Sequence, residues 1–99
     1  MVYQPSSPLT MSGAKVALAE GLLAIESGAT GIDLSLVQVV DSATVALLLA
    51  WQRAATVHGT ALAFLNASSS LISLAKMYSV DELLSFPADA SHEVNSAPR

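Results

Sequence analysis

Cysteine is absent from this 99-residue chain, and charged side chains are scarce. Without cysteine the chain forms no disulfide and offers no thiolate ligand to a metal ion. Charged residues make up 12% of the sequence, against about 25% in an ordinary soluble domain. Alanine, serine, threonine and aliphatic side chains must therefore cover much of the surface. Such a surface is typical of a protein that functions in contact with a partner protein, although an alanine-rich proteome would give the same composition.

Basic residues are few and scattered, and the formal net charge is −4. The four lysines and arginines are Lys15, Arg53, Lys76 and Arg99. They form no basic patch that could neutralise a row of phosphates. We therefore expect neither nucleic-acid binding nor attraction to an anionic membrane surface.

Long apolar runs are also missing. The longest, Val45 to Trp51, has seven residues, whereas a membrane-spanning helix needs about 18 or more. The N-terminus shows no basic region followed by an apolar one, because Gln4 to Pro8 intervene. The sequence therefore predicts no direct membrane insertion, no signal peptide and a cytoplasmic location.

The residue groups that carry enzyme or cofactor chemistry are not evident. There is no glycine-rich phosphate loop, no cluster of metal ligands and no close carboxylate pair. Ser42 lies sixteen residues before His58 on one predicted helix, which separates them by about 24 Å, and His92 falls in a predicted tail. Because a nucleophile needs a base within reach, we expect no enzyme activity, no cofactor and no metal.

The sequence does contain alternating strand and helix patterns. Strict alternation from Ile32 to Leu36 places Asp33 and Ser35 on a polar face and predicts a half-buried strand. Glycines end the first two predicted helices. The predicted elements, in chain order, are an edge strand at best within 1–8, a brief strand at 9–11, a helix from Ser12 to Ser27, a strand at 32–36, a helix from Ser42 to His58, a strand at 60–65, a helix at 70–78, and a turn or short strand at 81–86.

This order predicts an α/β fold with a mostly parallel sheet of about four strands. Residues 1–86 are expected to form one domain, in which 1–8 are a poorly defined edge segment. Residues 87–99 are expected to form a flexible C-terminal tail.

Three segments in the middle of the chain, Ile32 to Ser35, Val39 to Thr44 and Leu47 to Leu49, resemble the STAS family. That family includes anti-sigma-factor antagonists and the cytoplasmic tails of sulfate transporters. The later segment Ser73 to Val80 is similar to the subgroup that serves the Mla phospholipid-transport ABC system. The resemblance covers roughly residues 9–86 and implies a sheet with helices mainly on one face.

The resemblance also implies a function and a partner. It points to a non-catalytic accessory subunit that binds the cytoplasmic ATPase of an ABC transporter for phospholipids and stabilises or regulates it. The ATPase would lie in a complex with a membrane permease, so this chain would be peripheral on the inner membrane, and the transport would maintain outer-membrane lipid asymmetry. The alternative implied by the same family is an anti-sigma factor antagonist regulated by phosphorylation at Ser42.

Candidate site residues cluster at the start of the second helix. By themselves, Asp41 and Ser42 are typical N-cap residues. The family resemblance instead implies that Ser42 is the phosphoacceptor of regulators, or lies at the contact with the ATPase. Thr44 stands where relatives usually have glycine, which would alter how closely a partner approaches this end of the helix.

Helical spacing adds a second expectation about this helix. At 100° per residue, Ala43, Leu47, Ala50, Trp51 and Ala54 share one side, which we predict to face the core. The opposite side is predicted to face solvent and consists of Ser42, Val45, Leu49, Gln52, Arg53 and Thr56. Val45 and Leu49 lie in line below Ser42, and they predict a docking strip with Gln52 and Arg53 at its rim.

Overall fold

Strands and helices alternate along the chain in the predicted order. The computed structural model describes residues 1–6 and 9–87. Its elements are β1 (Val2–Tyr3), α1 (Ala14–Glu26), β2 (Gly31–Asp33), α2 (Ser42–Val57), β3 (Ala63–Leu65), α3 (Ser69–Met77) and a final 3-10 turn (Asp81–Leu83). Except for Pro87, the predicted C-terminal tail lies outside the described residues, as does His92.

The three strands form one parallel sheet in the order β1-β2-β3. Tyr3, Ile32 and Phe64 lie side by side in the central row. The crossovers between successive strands contain α1 and α2, and the right-handed connection that is usual for parallel strands places both helices on the same face of the sheet. Both α1 and α3 pack against α2. The α/β fold class is confirmed, with three strands among the described residues where about four were predicted.

The predicted strand at 9–11 is wrong. Leu9 is buried, and a turn follows in which the Gly13 amide donates to the Thr10 carbonyl at 3.0 Å. The predicted start of the first helix at Ser12 is also displaced, because α1 begins at Ala14 with Gly13 in the N-cap position. The segment therefore leads directly into α1.

The predicted strand at 32–36 is too long. One carboxylate oxygen of Asp33 accepts the Ser35 amide at 3.0 Å, and the Val37 amide donates to the Leu34 carbonyl at 3.0 Å. These bonds turn the chain after Leu34, so the alternation of buried and exposed side chains stops there. As a result Leu36 is 56% exposed, although the strand pattern predicted it to be buried.

The core lies between the sheet and the three helices. Its largest fully buried side chains include Trp51, Phe64, Ile32, Leu48 and Leu71. The rings of Tyr3 and Trp51 pack edge-to-face, with their centroids 6.1 Å apart. No helix within residues 1–6 and 9–87 is long and apolar enough to cross a bilayer.

At Gly21, α1 lies in close contact with Trp51 of α2. A Cβ atom added there would lie 2.7 Å from Cζ2 of the Trp51 indole, and nearer still to Nε1 and Cε2. The indole Nε1 donates to the Leu18 carbonyl at 3.3 Å. The sequence shows Gly21 only as a weak position for a helix. In the structure the missing side chain makes room for the tryptophan.

Candidate partner-binding site

The start of α2 is fixed by a reciprocal pair of hydrogen bonds. Asp41 is the N-cap, and its Oδ1 accepts the Thr44 amide at 3.2 Å, while the Thr44 hydroxyl oxygen accepts the Asp41 amide at 3.1 Å. This capping box satisfies backbone N–H groups that a helix start otherwise leaves without a partner. Asp41 is therefore the cap, and the helix does not need Ser42 for that purpose.

The same two residues attach α2 to the segment that precedes α1. The Thr44 hydroxyl donates to the Leu9 carbonyl at 3.0 Å, and the Met11 amide donates to Asp41 Oδ2 at 3.4 Å. Thr44 is fully buried. Its side chain is not available to a partner, so its inclusion among the interface residues is wrong. Asp41 is half-buried and is occupied by the cap.

Ser42 is the first residue of α2, and it is exposed. The aligned peptide dipoles give this end of a helix a positive partial charge. Its hydroxyl therefore stands in solvent at the positive end of a sixteen-residue helix. His58 is the C-cap of the same helix, at the opposite end, as the spacing predicts.

The predicted orientation of α2 is wrong for Val45. This side chain is 3% exposed and belongs to the core, and Leu49 is half-buried against the core. The helical projection assumed one buried side. In the structure α2 is the middle helix and packs against α1 and α3. Its buried side chains also share one core cluster with Ile32 and Phe64 of the sheet, so α2 buries a much wider arc. Leu47 and Trp51 are buried as predicted.

The outward side of α2 is lined by smaller side chains than predicted. Ser42, Ala46 and Arg53 are exposed, and Leu49 and Ala50 border them. Their spacing of three and four residues makes them one stripe. Of the predicted rim pair, only Arg53 lies on it.

Gln52, the other predicted rim residue, is half-buried in a groove beside β3 and the final turn. Its Nε2 donates to the Thr56 hydroxyl at 3.3 Å. Its Oε1 is buried, with no hydrogen-bond partner among the described residues. Gln52 therefore lies on the flank of α2 that faces the sheet.

Three exposed apolar side chains near Ser42 were missed. Met11 is 77% exposed, Leu36 56% and Val39 71%. Met11 is held beside the α2 start by its bond to Asp41, and Val39 lies three residues before Ser42. Leu36 and Val39 line a shallow groove of about 400 Å³ with Leu9. We call Met11, Leu36, Val39, Ser42 and Ala46 the entry surface.

The entry surface carries no charged side chain. Asp41, the nearest acid along the chain, has its carboxylate in the capping box. The surface is therefore an apolar patch with a hydroxyl group at the end of a helix dipole. Exposed apolar residues that form a group, unlike single ones, mark sites of protein interaction.

A polar cluster lies at the carboxyl ends of the strands. Asp33 accepts hydrogen bonds from the Asn66 side chain at 3.0 Å and from Gln4 at 3.2 Å. These bonds, led by that of Asn66 and joined by that of the Ser35 amide, lower the pKa of Asp33 below its ordinary value. Among the described residues no group of three or more histidine and acidic side chains is placed to hold a metal ion.

The family follows from comparison with known proteins. A family model described as the Mlab STAS domain matches residues 6–85. The chain belongs to the MlaB-like STAS domain family. STAS domains are generally regulatory and non-catalytic, and no catalytic family is indicated. No curated protein matches the chain.

The STAS fold is shared with a solved structure. A crystal structure from Thermotoga maritima, of a protein assigned as an anti-sigma factor antagonist, superposes with a TM-score of 0.74 at 15% sequence identity. The match covers 99% of this chain and 86% of that one. At this identity the likeness shows the fold alone.

Proposed function

We propose that this MlaB-like STAS domain is an accessory subunit that binds the cytoplasmic ATPase of an ABC transporter for phospholipids through its entry surface. The observation that carries the proposal is the group of exposed apolar residues around Ser42, in a domain whose family model is named for Mla. The chain would then be cytoplasmic and peripheral on the inner membrane through this partner, and would stabilise or regulate the ATPase.

The shape of the entry surface suits a flat, close contact. Met11, Leu36 and Val39 project from two loops, while Ala46 and Ala50 keep the adjoining helix face low. Small side chains let a partner's backbone approach α2, and the larger ones offer apolar area to bury. Arg53 lies further along the same stripe, where it could pair with an acidic residue at the rim of the contact.

Ser42 gives this contact a chemical means of control. Its exposed hydroxyl lies among apolar side chains that a partner would cover. Phosphorylation would add a charge of about −1.5 to −2 at neutral pH, which the positive end of α2 tolerates in the free domain. In the complex that charge would be desolvated without a counter-ion, so binding would weaken while the fold stays intact.

The test compares Ser42→Ala with Ser42→Glu. Both variants should melt close to the wild type, because Asp41 provides the cap. In titrations with the purified ATPase, Glu should weaken binding about tenfold or more and Ala by much less. If affinity simply follows melting temperature across the three proteins, Ser42 does not control binding.

A matched pair of valine substitutions locates the contact. Val39→Asp on the entry surface should abolish co-purification with the ATPase. Val57→Asp makes the same change at the far end of α2, where Val57 is 85% exposed, and should have no effect. If the two variants affect co-purification equally, the ATPase does not bind at the entry surface.

The second candidate function is that of an anti-sigma factor antagonist. It is favoured by the solvent-exposed hydroxyl of Ser42, which a kinase could reach without unfolding α2. Capture of partners from native membranes and from cytosol separates the two. Recovery of an ATPase with its permease supports the transporter role, and recovery of a kinase with a sigma factor supports the antagonist.

A further inference from the structure

The solvent side of α1 carries an apolar stripe. Val16, Ala19 and Leu23 recur at spacings of three and four residues and so lie in one row. Val16 is 57% exposed, Leu23 is 64% exposed, and Ala19 between them is exposed as well. We call these three residues the α1 stripe. It lies on the face of α1 opposite Gly21, which packs against Trp51.

Two opposite charges flank the α1 stripe along one edge. Lys15 and Glu26 are both exposed. Eleven residues separate them, so at 100° per residue they project within about 20° of each other and lie about 16 Å apart along the axis. The edge therefore has a positive end and a negative end.

This arrangement is self-complementary under two-fold symmetry. When two helices pack antiparallel about a two-fold axis, each edge lies beside the same edge of its partner, with the chain direction reversed. Pairing Val16 with the partner's Leu23 places the axis between residues 19 and 20. Pairing Lys15 with the partner's Glu26 places it between residues 20 and 21. The two placements differ by one residue, about 1.5 Å, which flexible side chains absorb.

We propose that the α1 stripe binds a second copy of this chain as an antiparallel, two-fold dimer. The dimer would contain two apolar contacts between Val16 and the partner's Leu23, and two ion pairs between Lys15 and the partner's Glu26. Ala19, near the axis, would let the two helices approach closely. Glu20 lies on the other edge, and its carboxylate accepts the Tyr3 hydroxyl at 2.9 Å, which directs it toward β1 and away from the stripe.

The expected dimer is weak. A 13-residue helix is about 20 Å long, and one such helix buries less than the roughly 800 Å² per partner of a standard interface. We expect a dissociation constant between about 10 µM and 1 mM. Added salt should weaken association, because the flanking charges are exposed.

Charge reversal tests the pairing itself. Sedimentation equilibrium of the full chain is measured for wild type, Lys15→Glu, Glu26→Lys and the double variant. Each single change should weaken dimerisation about tenfold, because it creates two like-charge contacts, and the double variant should return to within about threefold of wild type. Failure of the double variant to recover would overturn the antiparallel pairing.

A pair of leucine variants tests the apolar contact. Leu23→Glu should leave only monomer, whereas Leu83→Glu should dimerise as the wild type does, because Leu83 is equally exposed at 63% but lies in the final turn. Circular dichroism melts check that both remain folded. A wild type that stays monomeric up to about 1 mM would refute the proposal, as would equal effects of the two leucine variants.

Discussion

Replacing Gly21 with alanine should destabilise the protein, although helix propensity alone predicts the opposite. Alanine is favoured over glycine in a helix interior by about 1 kcal/mol. Against that gain stands the Trp51 indole, which occupies the space that the new methyl group would need. Overpacking of a core typically costs about 1–3 kcal/mol. Movement of the ring would also weaken or break the hydrogen bond from the indole Nε1 to the Leu18 carbonyl, which contributes about 1 kcal/mol.

The expected net loss for Gly21→Ala is about 1–3 kcal/mol of unfolding free energy. For a domain of 99 residues, this lowers the melting temperature by roughly 5–20 °C. Urea unfolding in dilute solution, followed by circular dichroism, measures the difference. Ala19→Gly on the exposed side of the same helix is the control, because it should lose only the propensity term of about 1 kcal/mol.

A double-mutant cycle identifies the cause. Trp51→Phe removes the part of the indole that meets the new methyl group, so Gly21→Ala should be less harmful in that background. A coupling energy near zero would refute the steric explanation, as would a Gly21→Ala variant more stable than the wild type.

Three further predictions concern the fold. Thr44→Val keeps the side-chain volume but leaves the Leu9 carbonyl without its donor, so unfolding free energy should fall by about 1–3 kcal/mol in urea titrations; no measurable loss would contradict this role. Val45→Asp should give an unfolded circular dichroism spectrum, because the charge would lie in the core; a folded variant would instead indicate that Val45 faces outward. Burial, aided by Glu20, raises the pKa of Tyr3 to about 12. The contribution of Tyr3 to the unfolding free energy is therefore complete below about pH 10 and is lost as pH rises toward 12. Tyr3→Phe should reduce the fall of unfolding free energy over this pH range, and an unchanged fall would contradict the prediction.

The C-terminal ends of α1 and α2 and the topology could be predicted because their causes are local. Gly28 and Gly59 follow α1 and α2 with positive φ angles of 104° and 80°, a conformation that glycine adopts without strain. Alternation of strand and helix led correctly to a parallel sheet. The STAS resemblance also rested on local segments, and it is confirmed.

The candidate site was predicted less well because its geometry depends on tertiary contacts. The outward side of α2 was misplaced because alanine occurs on both sides and the helix packs between two others. Leu36 was assigned to the core because nothing in the alternating pattern shows that Asp33 ends the strand. Met11 and Val39 lie in loops, where no periodicity indicates exposure. Ser42 and Arg53 were correctly placed on the outward side of α2, and the position of Ser42 follows from its place at the start of the helix.

Trp51 also gives the protein an internal spectroscopic probe. It is the single tryptophan of the chain, it is fully buried, and the Tyr3 ring lies against it. It lies nine residues after Ser42, about 13 Å further along α2. A partner that covers the entry surface should therefore leave its emission unchanged, while unfolding should shift the emission to longer wavelength. The emission of Trp51 can then show whether a variant that no longer binds its partner is still folded.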